Sequence, residues 1–201
     1  FWALHRHDNQ VYSAEMLLTL QTSLTALADA AHARTQAQPK DAVLQQLAAQ
    51  RYTDYVQTFS DAPAAGRYWF LLAEVRLASG DRLAAEQAYA TVAYDRHDPQ
   101  FGADAGYNHW LLATTADAAE QGARATRFNA SYANDERLLP MLAESARALL
   151  AAADMLPAAA LAQELLASPQ VLPPALAAVA HQVLARSYFA QQQFAFAEAE
   201  F

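Results

Sequence analysis

The chain has no cysteine, which excludes thiolate metal sites, disulfides and cysteine nucleophiles. That absence does not locate the protein, because both reducing and oxidising compartments hold cysteine-free proteins. Glycine is scarce, five in 201 residues, and β-branched residues are sparse, so strands and tight hairpins are not expected. Basic charge is short as well: 13 Lys and Arg stand against 21 Asp and Glu, a net charge of -8, with no basic cluster longer than a pair. Nucleic-acid binding rests on neutralising phosphates and is not expected here. Long apolar runs are missing too. "ALLAAA" at 148 to 153 is closed by Arg147 and Asp154, far short of the roughly 20 residues of a membrane span, so no transmembrane segment is expected. The chain opens on Phe1 without a charged and then apolar leader, which leaves either a removed signal peptide or an excised fragment as the expectation.

What fills the space is alanine. There are 51, about a quarter of the chain, within a hydrophobic fraction of 54% that is large enough for a substantial core. Alanine is the best helix former, and its small side chain lets helices approach closely, so the fold class expected is all-α. The eight prolines, at 39, 63, 99, 140, 157, 169, 173 and 174, each fit a loop or a first helical turn. Apolar periodicity between these breaks predicts ten helices, near 10–36, 41–59, 66–79, 82–94, 104–119, 123–133, 137–153, 157–167, 175–190 and 194 to the end. They pair into five hairpins. Gly80 and Gly122 are placed at helix C-termini, where positive φ is wanted, and Asp81 follows as an N-cap.

A repeat runs through the hairpins. Ala73 and Ala85 are twelve residues apart, and the same spacing joins Ala113 to Ala125, Ala146 to Ala158 and Ala185 to Ala197. One alanine of each pair falls mid-way along a first helix and the other near the start of the returning one, where crossing helices admit only small side chains. Trp69, Leu72, Ala73, Ala85, Tyr89 and Pro99 add an aromatic, a leucine, two small residues, a second aromatic and a closing proline, although Arg76 takes the place of a mid-helix aromatic. Leu184, Ala185, Tyr188, Ala197 and Phe201 repeat much of this, with His181 for the opening aromatic. The two middle hairpins hold less of it, since Asn129 and Ala162 replace the second aromatic.

This pattern resembles the tetratricopeptide repeat, with HEAT-like hairpins as the other architecture open. The resemblance implies a right-handed superhelical solenoid of antiparallel helix hairpins. It divides the chain into an atypical, repeat-like hairpin at 1–65 and four repeats at about 66–105, 106–138, 139–177 and 178–201, the last truncated. Phrases such as "AEQAYATVAYD" and "AHQVLARSYFAQQQFAFAEAEF" are also similar to long multi-repeat proteins of the bacterial cell envelope, which favours periplasm or envelope over cytoplasm.

In the family it resembles, first helices line a concave groove. Projected onto this sequence, that surface takes Phe70, Glu74 and Leu77, then Tyr107, Trp110, Thr114 and Asp117, then Ala143 and Arg147, then Gln182, Arg186 and Phe189. The resemblance implies a non-enzymatic scaffold that binds a protein or extended peptide there. Each aromatic has a plainer reading as packing between neighbouring hairpins. No phosphate loop, nucleophile elbow or dinucleotide fingerprint is present, and no cofactor is expected. His5, His7 and Asp8 form the densest set of potential ligands but lack helix-borne zinc spacing, so no metal is expected; His109 and His181 read as packing histidines. An enzyme would have to use Glu74 and Asp117 as paired carboxylates. The sequon at Asn129 falls on a predicted helix. Phe194, Phe196 and Phe201 are apolar where a terminal repeat would be polar, so further repeats or self-association are expected.

Overall fold

The computed structural model describes residues 13–113 and 117–200. Among them are ten α-helices and no strand: α1 (Ala14–Ala37), α2 (Ala42–Thr58), α3 (Ala65–Ala78), α4 (Arg82–Ala90), α5 (Gly102–Ala113), α6 (Ala118–Tyr132), α7 (Leu138–Ala151), α8 (Met155–Leu166), α9 (Pro174–Ala190) and α10 (Phe194–Glu200). A π-helical turn, Thr91–Asp95, continues α4. No helix among the described residues is long and apolar enough to cross a membrane. The helices fall into two compact units, one up to Ala105 and one from Gly106, the boundary lying inside α5.

In the first unit each helix packs on the next, α1 on α2, α2 on α3 and α3 on α4. Ser13, Asp41 and Asp81 cap their helices by accepting backbone N–H groups, Asp41 from both Val43 and Leu44, which satisfies donors the first turn leaves open. The core is phenolic. Tyr52, Tyr55 and Tyr68 are buried, with the rings of Tyr55 and Tyr68 4.3 Å apart, among Ala28, Ala48 and Ala65. Small alanines leave room that rings fill, and each phenol finds a polar partner: His32 for Tyr52, Gln21 for Tyr55 and Asp29 for Tyr68. The apolar residues of α1 at 16, 17, 20, 24 and 27, although at helical spacing, are not buried. Met16 and Leu27 are exposed, and the buried residues of α1 are Ala28 and Ala31.

The second unit has an aliphatic core of Leu138, Leu142, Leu149, Leu161 and Leu165 around Phe128. Here α6 packs on α7, α7 on α8, α8 on α9 and α9 on α10. In addition α7 touches α9 directly, and α6 touches α8, so first helices meet first helices and second helices meet second ones.

Three hairpin turns share one backbone form. Gly80, Ala153 and Gln192 have φ of 84°, 60° and 61°, and after each the next N–H reaches back to a carbonyl five residues earlier, from Asp81 to Arg76, Asp154 to Leu149 and Gln193 to Tyr188. This closes the first helix with the left-handed residue that such ends favour. It also accounts for the alanine spacing, because the left-handed residue lies seven positions after one alanine and five before the other. Ala73, Ala85, Ala146, Ala158, Ala185 and Ala197 are all at most 2% exposed.

The α5–α6 hairpin is the correction. The helix expected over 104–119 is described as far as Ala113 and does not run through Asp117, which has extended backbone and is the N-cap of α6, its carboxylate 2.8 Å from the Ala119 N–H. Gly122 is therefore inside α6 and terminates nothing. Second helices begin at Arg82, Ala118, Met155 and Phe194, spaced 36, 37 and 39 residues apart. Aligned on these starts, the positions held by alanine pairs elsewhere are held here by His109 and Gln121, both buried. Ala113 and Ala125 each lie one turn further on and are buried, at 2% and 0%, but because paired helices run in opposite directions one is shifted toward the turn and the other away from it, so their twelve-residue spacing does not mark a facing pair. Close approach is supplied instead by glycine. A Cβ at Gly106 would lie 2.9 Å from Phe128 Cδ2, and one at Gly122 would lie 2.8 Å from Leu149 Cδ1.

Candidate functional site: clefts between first helices

Three surface clefts stand out, and each takes residues from two first helices of consecutive hairpins, with α2 adding Gln45 and Tyr52 to the first and α10 adding Glu200 to the third. The cleft between α1 and α3, about 520 Å³, is walled by Tyr52, Phe70, Leu71 and Val75 with His32 and Glu74 at its edge. That between α5 and α7, about 420 Å³, holds Tyr107, Trp110, Arg137 and Glu144. That between α7 and α9, about 520 Å³, holds Arg147, Ala178, His181 and Gln182, closed on one side by Glu200 of α10. One structural position recurs. Eight residues before each second helix stand Glu74, Trp110, Arg147 and Arg186, and the first three each line one cleft.

The chemistry at that position differs from cleft to cleft. Glu74 is exposed and accepts a hydrogen bond from the Tyr89 hydroxyl of α4. Phe70, one turn earlier, is half-buried, its ring 5.7 Å from Tyr89 and 5.4 Å from Phe101. Across the cleft His32 Nδ1 and the Tyr52 hydroxyl are 2.9 Å apart. Burial pushes the Tyr52 hydroxyl up to about 12, and that of Tyr68, which is buried and bonded to Asp29, to about 12 as well, so both phenols are neutral at ordinary pH.

Trp110 does not present a surface. It is 2% exposed, and its Nε1–H donates to Ser145 Oγ of α7 at 3.0 Å, which ties first helix to first helix. Tyr107 stacks on it at 5.7 Å and carries the Arg137 guanidinium 5.0 Å above its ring. That guanidinium also grips Asp135, which holds the carboxyl below its usual range. The plainer packing reading therefore applies to Trp110, and Tyr107 is half-covered by neighbours.

Arg147, Gln182 and Arg186 are exposed, and neither arginine has a hydrogen-bond or ion-pair partner among the described residues. Gln182 and Arg186 are one turn apart on α9 and so share a face. Leu77 is exposed, whereas Ala143 is buried in the core. Asp117 is exposed but belongs to the start of a second helix, where its carboxylate caps, and not to a first-helix wall. Thr114 lies outside the described residues, as do His5, His7, Asp8 and Phe201. The suggested carboxylate pair divides, Glu74 in the first unit and Asp117 in the second.

Of the two histidines expected to pack, His109 is buried, while His181 is half-exposed and pairs with Glu200 at 2.6 Å. Asn129 of the sequon sits within α6 and donates to Glu164 at 3.1 Å. Among the described residues no group of three or more His, Asp or Glu is arranged to hold a metal ion. Phe189, Phe194 and Phe196 are exposed on α9 and α10 at 61%, 58% and 64%. Arg137, Glu144 and His32 were not singled out in the sequence, and no local pattern marks them: each becomes a cleft residue only through the helix packed beside it.

No protein-family model matches the chain, and no curated protein matches it. A solved structure similar to it is the crystal structure of BtubC (BKLC) from P. vanneervenii, 14% identical over 94% of this chain and 89% of that one, with a TM-score of 0.44. At that level the likeness carries no argument about function.

Proposed function

We propose that the protein is a non-enzymatic binding scaffold of tetratricopeptide-like hairpins that holds a protein or an extended peptide along its first helices. One observation carries this reading: three clefts each form between consecutive first helices, with one recurrent position, Glu74, Trp110 or Arg147, in each. Glu74 and Arg147 are exposed at that position beside the buried pairs Ala73–Ala85 and Ala146–Ala158, so these two can change and tune recognition while the packing beside them stays constant; Trp110 is the buried exception.

The test is a peptide selected from a displayed random library on the whole protein, with hydrogen exchange followed on binding. Protection should gather on α1, α3, α7 and α9, and Glu74→Ala with Arg147→Ala should weaken capture while helical circular dichroism stays unchanged. Protection confined to α4, α6 and α8, with both variants binding as the wild type does, would overturn it.

A second reading is favoured by the exposed Phe189, Phe194 and Phe196: the α9–α10 end joins copies of the chain into a larger assembly. Light scattering over a concentration series decides, because Phe194→Ser with Phe196→Ser should abolish any association. A monomer at every concentration would remove this second reading.

A further inference from the structure

The α1–α3 cleft has a chemistry of its own. Its floor is apolar and aromatic, with Tyr52, Phe70, Leu71 and Val75, and it carries one carboxylate, Glu74, while no lysine or arginine lines it. The two arginines of α3 are committed elsewhere: Arg67 pairs with Asp29 at 3.0 Å and Arg76 with Asp81 at 3.5 Å. The Tyr89 hydroxyl, reaching Glu74 from α4, orients the carboxylate at the rim instead of leaving it to swing in solvent. Across the cleft, the Tyr52 hydroxyl is neutral at ordinary pH and already engaged with His32, so it brings no competing charge.

A carboxylate held beside ring faces and aliphatic surface complements one kind of side chain. Lysine and arginine bury a methylene stem on apolar walls while the charged head stays at the edge, and a head near a ring face gains a cation–π term besides its ion pair. The surrounding chain, at net charge -8, attracts the same sign.

We propose that the α1–α3 cleft takes a lysine or arginine side chain from an extended basic, apolar-interspersed peptide, with its stem on Phe70, Leu71 and Val75 and its charge at Glu74. This rests on the reading of first-helix clefts as the binding surface.

Three labelled peptides test it by fluorescence anisotropy on the whole protein: alternating leucine with lysine, with glutamine and with glutamate. The wild type binds the lysine peptide about tenfold more tightly than the glutamine one, the size of one well-placed charge contact. Glu74→Gln, which can still accept from Tyr89, removes most of that preference, and Glu74→Lys turns it toward the glutamate peptide. Asp61→Asn, an exposed acid outside the cleft, leaves it unchanged and so controls for general attraction. A lysine preference that persists in Glu74→Gln overturns this inference and leaves the scaffold reading standing. If none of the three peptides binds, this inference falls, while the scaffold reading stands or falls on the library selection.

Discussion

The hairpins α7–α8 and α5–α6 solve one problem in two ways. Two helices must approach closely at a crossing, and in α7–α8 the pair Ala146 and Ala158 does this, both at most 1% exposed. In α5–α6 the equivalent positions hold His109 and Gln121, and the close contact between the two helices is at Gly106 against Phe128, while Gly122 makes room for Leu149 of α7. The recurrent first-helix position changes with it: Arg147 faces solvent, while Trp110 is buried against Ser145. A repeat can thus keep its helix count and period while changing which residues are core and which are surface. The lesson is that in an alanine-rich chain a spacing of twelve marks a helix face but does not fix the turn along it.

The largest expected effect separates the equivalent positions. Trp110→Ala should cost about 3–5 kcal/mol, because it empties a packed site and leaves the Ser145 hydroxyl without its donor. Arg147→Ala should stay within about 0.5 kcal/mol in urea denaturation, being exposed, while Glu74→Ala should cost about 1 kcal/mol because it takes the acceptor from the buried Tyr89 hydroxyl. Equal costs at all three would break the comparison.

Next come the close approaches. Ala146→Leu and Gly106→Ala should each lose about 1–3 kcal/mol by overpacking, Ala146→Leu the more because nothing beside a fully packed alanine can yield. A Cβ at Gly106 would meet the buried Phe128 ring at 2.9 Å, so that ring has to shift. A Gly106→Ala variant as stable as the wild type would show that glycine is not what brings α5 and α6 together.

Smaller still is relief at the turns. Ala153→Gly and Gln192→Gly place glycine at left-handed φ and should gain about 0.5–1 kcal/mol, whereas Gly80→Ala should lose about 1 kcal/mol. Thermal midpoints of the three variants, compared with the wild type, check both signs at once. The same substitution pattern failing at one turn would show that its backbone differs from the other two.

Much of the fold was legible in advance because it follows from local rules. Ala-rich periodic segments between prolines predict ten helices, and ten α-helices are observed among the described residues, most with ends within two residues of expectation. Gly80 with Asp81 marks a turn by the conformational needs of those two residues alone. The exposure of Phe70's neighbour Glu74, and of Arg147, Gln182 and Arg186, also follows from helix period once the alanine face is known.

What the sequence could not determine is which of several small residues marks the crossing. Ala113 and Ala125 share a face with the true crossing positions, and i and i+4 are equivalent to any periodic argument, so the register of α5–α6 had to come from packing. The same holds for Asp117, whose extended backbone caps α6, and for Gly122, which lies inside α6 because that helix starts at Ala118 and which leaves room for Leu149 of another hairpin. Burial of Trp110 is likewise a property of α7 beside it. Local chemistry determined where helices start, stop and turn; only the neighbouring helix decided which of their exposed-looking residues were core, because burial is set by atoms far away in the chain.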